Sequence, residues 1–429
     1  MRVLFVASDP PWPIASGHAL RMVHIIRGLA RVGEVDVFSL TDPGRPHPED
    51  PVSEPVGRWV QAPRPSPPRA TSRWVATLRP GGPPLALAGR NFDSARARLS
   101  EFVTGAYDLL WVDAADTLAV LGPALPKAPL VVDLDDREDL KAAARTRTLL
   151  ADGARRPRRW PRLAVQAALG RREAAGWRRL QFRAVDAAQQ VVVASQLDAD
   201  RLAGLARSVR VVPNGGSEPS PGWNPRTKDP GSADFTAVFF GLLTYPPNVD
   251  AARMLANQVA PLLRSRSPGA SVRLVGRAGD AVQALHDPPK VIVTGWVDDL
   301  SAELIHADVA LVPIRYGAGT RIKILDAWAH EIPVVTTTMG AEGLDVHDGV
   351  DVLVADTPQA MADSCMRLLA QRGLREALVA EGRRRFYESH RWSEVEIQAA
   401  AVATDTLSTV SPDRSGPPRG EAGDPAPAP

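Results

Sequence analysis

Short apolar runs separated by glycine- and proline-marked loops recur along this chain, and helical patterns fill most of the gaps. Val3–Ala7 is continuously apolar, as expected of a strand buried on both faces of a parallel sheet. A proline loop and SGHALR follow, then a helical pattern through MVHIIRGLARVG that stops at Gly33, then the apolar run VDVFSL. Strand, glycine loop, helix, strand is a βαβ unit, with a right-handed crossover close to obligatory. LLWVDA, PLVVDLDD, QQVVVAS and VRVVPNG read as further buried strands, whereas Pro43–Pro84 has weak periodicity and predicts long loops. GSEPSPGWNPRTKDPGS, residues 216–232, has the composition of a linker. A second alternation then runs through TAVFFG, SVRLVG, KVIVTG, VALVPI, IPVVTT and DVLVA.

Two α/β halves joined by a linker predict two doubly wound domains facing across a cleft. The expected units are residues 1–215, a linker at 216–232 and a second domain at 233–382. A helix at 383–410 is expected to pack back on the first domain, and 411–429, rich in Pro, Gly and Asp, to be disordered. Composition narrows the class without choosing a function. A chain of 429 residues exceeds one ordinary core. A formal net charge of +2 makes no global case for nucleic acid. Cys365 is the single cysteine, which excludes an intramolecular disulfide and a Cys-cluster zinc site and suits a reducing compartment. The start, MRVLFVASDPPWP, does not read as a signal peptide, and no apolar run is long enough to span a bilayer.

The richest segment is RYGAGTRIKILDAWAHEIPVVTTTMGAE, Arg315–Glu342: a glycine loop, a helix, a buried strand and a second glycine turn. Gly317 and Gly319 let backbone approach a ligand, and the helix is expected to start at about Thr320. Its first N–H groups lack intrahelical partners and can bind a diphosphate. Arg321 and Lys323 add positive charge at that end, where cations oppose the helix dipole unless an anion sits among them. Asp326, further along, can accept from neutral hydroxyls. The blander reading is a strand–helix–strand unit whose glycines only make turns.

GAGTRIKILDAWAHEIPVVTTTMGAEG resembles the glycosyl transferases group 1 (family 4-like) enzymes, retaining GT-B glycosyltransferases, in the branch that builds exopolysaccharide and cell-surface sugars. FFGLLTYPPNVDA at Phe239–Ala251, LVGR at Leu274–Arg277 and VTGWVDDL at Val293–Leu300 are similar to further family elements. The resemblance implies an α/β GT-B fold of two Rossmann-like domains, the first binding the acceptor and the second the nucleotide-sugar donor. It implies ribose on Asp326 and nucleobase against Arg277 and the Val297 backbone, while Arg321 and Lys323 are expected to take over the phosphate neutralisation that the family draws from another loop. Gly17 would let the first domain pass close to the diphosphate, with Gly319 and Thr320 cradling it. The turn Gly340, Ala341, Glu342 would face the same cleft; Glu342 either accepts from a sugar hydroxyl or caps the turn.

Departures from the family are specific. The first of two acids that flank the glycine loop falls on Ala318, and the loop GLLTYPPN lacks the usual arginine and lysine. Asn248 in that loop reads foremost as a helix cap. No histidine lies near Asp135 in sequence; Asp135 or Asp136 can hydrogen-bond a sugar hydroxyl or the acceptor, or cap the following helix. His18 and Arg21 share the first loop and helix start, and a loop histidine is more often a surface residue. No metal or other cofactor is expected beyond the nucleotide-diphosphate sugar itself. The implied partners are that donor and a glycan, lipid-linked or small-molecule acceptor.

Between Lys141 and Arg183 thirteen cations face only Asp152 and Glu173, with Trp160, Trp177 and several leucines among them. Such a stretch is either a solvated helix face or a surface that lies on an anionic membrane. The expected location is cytoplasmic, with this region as the candidate contact to the inner face of the cell membrane. Competing readings are a non-catalytic sugar-nucleotide-binding scaffold and an epimerase or hydrolase on the same fold. The epimerase would want more acids and histidines in the cleft.

Overall fold

A computed structural model describes residues 1–410 apart from Ala15, 43–53, Ala70, 72–74, 76–80, Asp136, 155–159, 225–234 and 318–320. The expected tail at 411–429 lies outside the described residues.

Seven strands form the first sheet: β1 (Arg2–Ala7), β2 (Glu34–Thr41), β3 (Arg58–Pro63), β4 (Leu109–Asp113), β5 (Leu130–Leu134), β6 (Gln190–Val193) and β7 (Val209–Val211). They lie in the order β3-β2-β1-β4-β5-β6-β7, with every pair parallel. The second sheet holds β8 (Thr236–Phe240), β9 (Ser271–Val275), β10 (Val291–Gly295), β11 (Val309–Val312), β12 (Val334–Thr336) and β13 (Leu353–Val354). Its order is β10-β9-β8-β11-β12-β13, again all parallel. In each sheet the strand order reverses once, between β1 and β4 and between β8 and β11. Doubly wound sheets bind ligands outside the carboxyl ends of strands at such points.

The apolar runs follow from burial on both faces. Leu4 and Val6 face one core of the first domain, while Val3, Phe5 and Ala7 face the other. The helices that position the site are α1 (Gly17–Ala30), α2 (Glu138–Ala154), α3 (Trp160–Ala187), α4 (Gln196–Leu202), α5 (Pro246–Met254), α6 (Ile322–Ala329), α7 (Arg372–Ser389) and α8 (Trp392–Val410).

Three sequence expectations change. Pro43–Pro84 is not all loop, because Arg58–Pro63 adds an edge strand beside β2. A half-exposed edge strand with Pro63 at its end carries little periodic signal. The expected helix at 383–410 is two helices broken at His390–Arg391. Arg383–Ser389 belongs to α7 on the second domain, where Gly382 leaves room for Trp328; only α8 lies on the first domain. Val395, Ala399, Val402 and Ala403 of α8 share a core with Val23 and Ile26 of α1. The chain crosses between domains at 214–217 and returns at 390–392, and these crossings are joined by Gly216 N–H donating to His390 O at 2.9 Å. The linker residues from Ser220 onward already sit on the second domain, with Ser220 Oγ donating to Asp299 at 2.9 Å and Trp223 edge-on to His330.

Candidate functional site

The two switch points face each other. Gly17 opens α1 after β1, and a Cβ there would lie 2.8 Å from Cδ1 of Ile322, the first residue of α6. A larger residue there would have to push the Ile322 side chain aside. The starts of α1 and α6 thus meet across the cleft.

On the second domain, β8 and β9 end in Gly241 (φ 131°) and Gly276 (φ 126°), in the left-handed region that glycine tolerates. A Cβ on Gly276 would fall 2.1 Å from Gly241 O, so two bare strand ends form a shelf at the carboxyl edge. Lys323 reaches over that shelf. Its Nζ lies 3.3 Å from Asn248 Oδ1 and 5.3 Å from the centre of the Phe239 ring. Asn248 Oδ1 is its one hydrogen-bond partner among the described residues. Burial, reinforced by Arg321, pulls the ammonium down to about 8. A desolvated cation without a carboxylate bonded to it is a seat for an anion.

Asn248 does not cap its helix. The helix α5 starts with Pro246 and Pro247, which have no N–H to satisfy, and the Asn248 N–H bonds Tyr245 O. Its side chain instead donates to Leu242 O at 2.9 Å and accepts from Lys323, tying the first loop to the donor helix. The helix α6 begins at Ile322 with Arg321 at the cap position, two residues later than the sequence suggests. Arg321 turns back on the loop, its Nη2 3.0 Å from the Cβ position of Gly317. Ala318, Gly319 and Thr320 lie outside the described residues.

Asp326 is buried, and its Oδ1 accepts from Ser217 N–H in the interdomain crossover at 2.7 Å. Burial raises its carboxyl to about 7, against the pull of that hydrogen bond and of Lys323. The acid expected to hold a ribose therefore also grips the crossover. Gly340 and Ala341 do not offer free donors. Thr337 caps their short helix, taking Gly340 N–H on its hydroxyl at 2.8 Å and Ala341 N–H on its carbonyl at 2.9 Å. Glu342 is not a turn cap: it pairs at 2.7 Å with Arg201 of α4, across the cleft. Arg277 lies over the Trp296 ring at 5.4 Å, and Val297 beside it is partly packed on the second core. Trp296, 56% exposed with its Nε1 donating to Asp298 at 3.0 Å, is an aromatic wall that sequence reasoning missed.

On the first domain, carboxylates end β4 and β5 as strand direction requires. His18 is partly buried, its side chain 33% exposed, and it is engaged by carboxylates rather than free in solvent. Its Nε2 lies 3.1 Å from Asp113 Oδ2 and its Nδ1 3.5 Å from Asp135 Oδ2. Burial alone would lower the His18 pKa, but Asp113 and Asp135 outweigh it and raise it well above 6.5. Arg21 runs beneath, donating to Asp133 at 3.0 Å and to Asn214 Oδ1 at 3.1 Å, and Asn214 donates to Asp135 at 2.9 Å. Burial opposes ionisation of Asp135, yet Arg21 and His18 win and hold it below the ordinary carboxylate range. Asp133 is raised to about 6, chiefly by burial. Asp136 lies outside the described residues. The sequence offered no reason to join His18 to Asp113, since the fold alone brings loop and strand end together; Asp113 shares with Asp133 the signal of an acid closing an apolar run.

The helix α2 crosses the cleft mouth. Thr148 Oγ1 donates to Arg315 O at 3.2 Å, and Lys141 Nζ lies 5.4 Å from the Tyr245 ring centre. Among the described residues no group of three or more His, Cys, Asp or Glu is placed to hold a metal ion.

Residues 234–371 match the family described as glycosyl transferases group 1. An uncharacterized 44.6 kDa protein in the cps region of Klebsiella pneumoniae is 23% identical over 128 residues, 28% of this chain. That match spans only 33% of the Klebsiella protein. Among solved structures, sucrose-phosphate synthase from Thermosynechococcus elongatus superposes with a TM-score of 0.67 at 16% identity, over 95% of this chain and 100% of that one. The Anabaena protein HepE in complex with UDP-glucose gives 0.61 at 15% identity, over 94% and 100%. WaaG, a glycosyltransferase involved in lipopolysaccharide biosynthesis, gives 0.58 at 16%, over 94% and 99%. The chain therefore has the GT-B fold, and its second domain, at residues 234–371, matches the glycosyl transferases group 1 family.

Proposed function

We propose that the protein transfers a sugar, with retention, from a nucleotide-diphosphate donor to a hydroxyl of a glycan, lipid-linked or small-molecule acceptor. The observation that carries this is Lys323: a partly buried ammonium over the Gly241–Gly276 shelf, bonded to an amide and, among the described residues, to no carboxylate. A diphosphate there would meet Lys323, Arg321 and the start of α6 together. Charge grows on the leaving diphosphate during transfer, so these groups bind the transition state better than the ground state. The departing phosphate takes the acceptor's proton, and the protein's cations do the neutralising that a resident metal would otherwise supply. Arg277 and Trp296 offer a flat wall for the base, and Asp326 an acceptor for ribose. HepE binds UDP-glucose, which makes a UDP-sugar the first donor to try.

A thermal-shift panel of UDP-, GDP-, ADP- and dTDP-sugars tests the reading. One donor should raise the melting temperature, the rise should persist in EDTA, and Arg321→Ala should remove it. No shift from any donor at millimolar concentration would leave a fold without its expected ligand.

A membrane-facing role for α2 and α3 has its own observation. No helix among the described residues is long and apolar enough to cross a membrane. Yet α3 exposes Val165 at 59% beside Ala164 and Ala168, and further along Arg171, Arg178, Arg179 and Arg183. Exposed apolar residues next to cations suit an anionic interface, each cation contributing on the order of 1 kcal/mol. The protein should co-sediment with phosphatidylglycerol-containing vesicles and not with phosphatidylcholine alone. Arg171→Gln with Arg178→Gln should weaken this about tenfold or more, from the same per-cation figure. Equal binding to both vesicle types, or to neither, would return the arginines to a solvated face.

A further inference from the structure

Lys323 is held by a neutral group, whereas the ordinary partner of a desolvated ammonium is a carboxylate. That group, Asn248, is 6% exposed and engaged at both ends of its amide. Leu242 O can only accept, so Nδ2 must face it, at 2.9 Å, and Oδ1 must face Lys323 Nζ, at 3.3 Å. A turned-over amide would set two acceptors face to face at Leu242 and two donors at Lys323. The backbone fixes the same residue, its N–H donating to Tyr245 O at 2.9 Å.

An ammonium has three N–H donors, and Asn248 occupies one of them. The space beside the others is bare backbone: the Cβ position of Gly241 lies 3.7 Å from Nζ and 3.5 Å from Asn248 Nδ2, and Gly241 is itself exposed. Resting on the donor reading above, we propose that Asn248 is the positioning residue of the diphosphate seat: it aims Lys323 over the Gly241 backbone and, being an amide, leaves the lysine's charge for the ligand. A carboxylate at 248 would aim the same ammonium and neutralise it. Burial first and then Arg321 pull the ammonium down to about 8, opposed by Asp326. Arg321 and Asp326 are the charged groups acting on Lys323; what α5 and β8 turn to it, Asn248, Phe239 and Gly241, is uncharged. The neutral partner thus also sets the upper end of the pH range over which the seat is charged.

The test is donor titration of the full-length protein, using whichever nucleotide sugar of the panel stabilises it most. Asn248→Asp is close to isosteric and keeps an oxygen toward Lys323. Near pH 7.5 it should bind the donor about tenfold to a hundredfold more weakly, the worth of a charged hydrogen bond now satisfied from within. An opposite charge in contact raises an ammonium's pKa by about one unit or more. The fall in affinity that the native protein shows through about 8 should therefore move to about 9 or above, so that the two proteins converge as pH rises. Asn248→Ala releases Lys323 without neutralising it; it should bind about tenfold more weakly, with no upward move of that fall. A residue that only clamps the loop would lower the melting temperature of both variants and leave affinity and its pH dependence as in the native protein. That result, or an aspartate variant whose affinity falls at the native pH, would overturn the assignment. Native protein that no donor stabilises would instead overturn the donor reading beneath it.

Discussion

Lys323→Met is expected to lower sugar transfer by about 10²–10³-fold, the loss typical of removing one donor aimed at developing charge, without destabilising the free protein. Burial holds the ammonium at about 8, well below its ordinary 10.5, so the folded state disfavours the charged form. A group with a depressed ammonium pKa weakens the fold wherever the unfolded lysine is charged, which includes neutral pH. Methionine keeps the stem over the Phe239 ring and removes that cost. Calorimetry should show an equal or higher melting temperature, while donor titration shows the thermal shift gone. In the native enzyme kcat/KM should fall as pH rises through about 8, when free Lys323 gives up its proton. A variant that melts lower and turns over normally would make Lys323 a structural residue and leave the diphosphate without its central cation.

Much of this arrangement was legible before the fold. Apolar runs buried on both faces announce parallel strands, and the segment at 315–329 announces a helix with Arg321 and Lys323 at its start, because both signals are local. What failed was everything set by distance. Asn248 looks like a cap from its neighbours, but two prolines leave that helix no donor for it, and its amide turns to Lys323, seventy-five residues on. Glu342 reads as a turn residue until α4 of the other domain brings Arg201 to it. His18 reads as exposed until β4 and β5 place Asp113 and Asp135 on either side. Each error comes from a polar side chain whose partner is supplied by another element, where no periodicity can reveal it.

Asp326→Asn should push stability and donor affinity in opposite directions. The carboxyl is buried, 7% exposed, and raised from 3.8 to about 7. For an acid with a raised folded pKa, the native state holds its proton longer than the unfolded chain. Its stability is complete below 3.8 and is lost as pH rises to about 7, roughly 4 kcal/mol in all at 1.36 kcal/mol per unit. Asparagine cannot ionise, yet its oxygen can still accept from Ser217 N–H. The variant should therefore melt several degrees above the native protein near pH 8, with the gap closing as the pH falls toward 4. Donor binding should move the other way. A ribose hydroxyl bonded to a charged acceptor is worth about 1.5–3 kcal/mol, so affinity should fall about tenfold to a hundredfold at pH 8. Below the pH at which Lys323 gives up its proton, native affinity should rise through about 7 as Asp326 ionises, while the variant's should stay flat there. Melting curves and donor titrations across that range read both effects from one preparation. Stabilisation without loss of affinity would confine Asp326 to the crossover; loss of affinity without stabilisation would mean the carboxylate is better solvated than its burial implies. The opposed pair is what a residue serving both the crossover and the ligand must show, since the charge that suits the ribose is the charge that burial opposes.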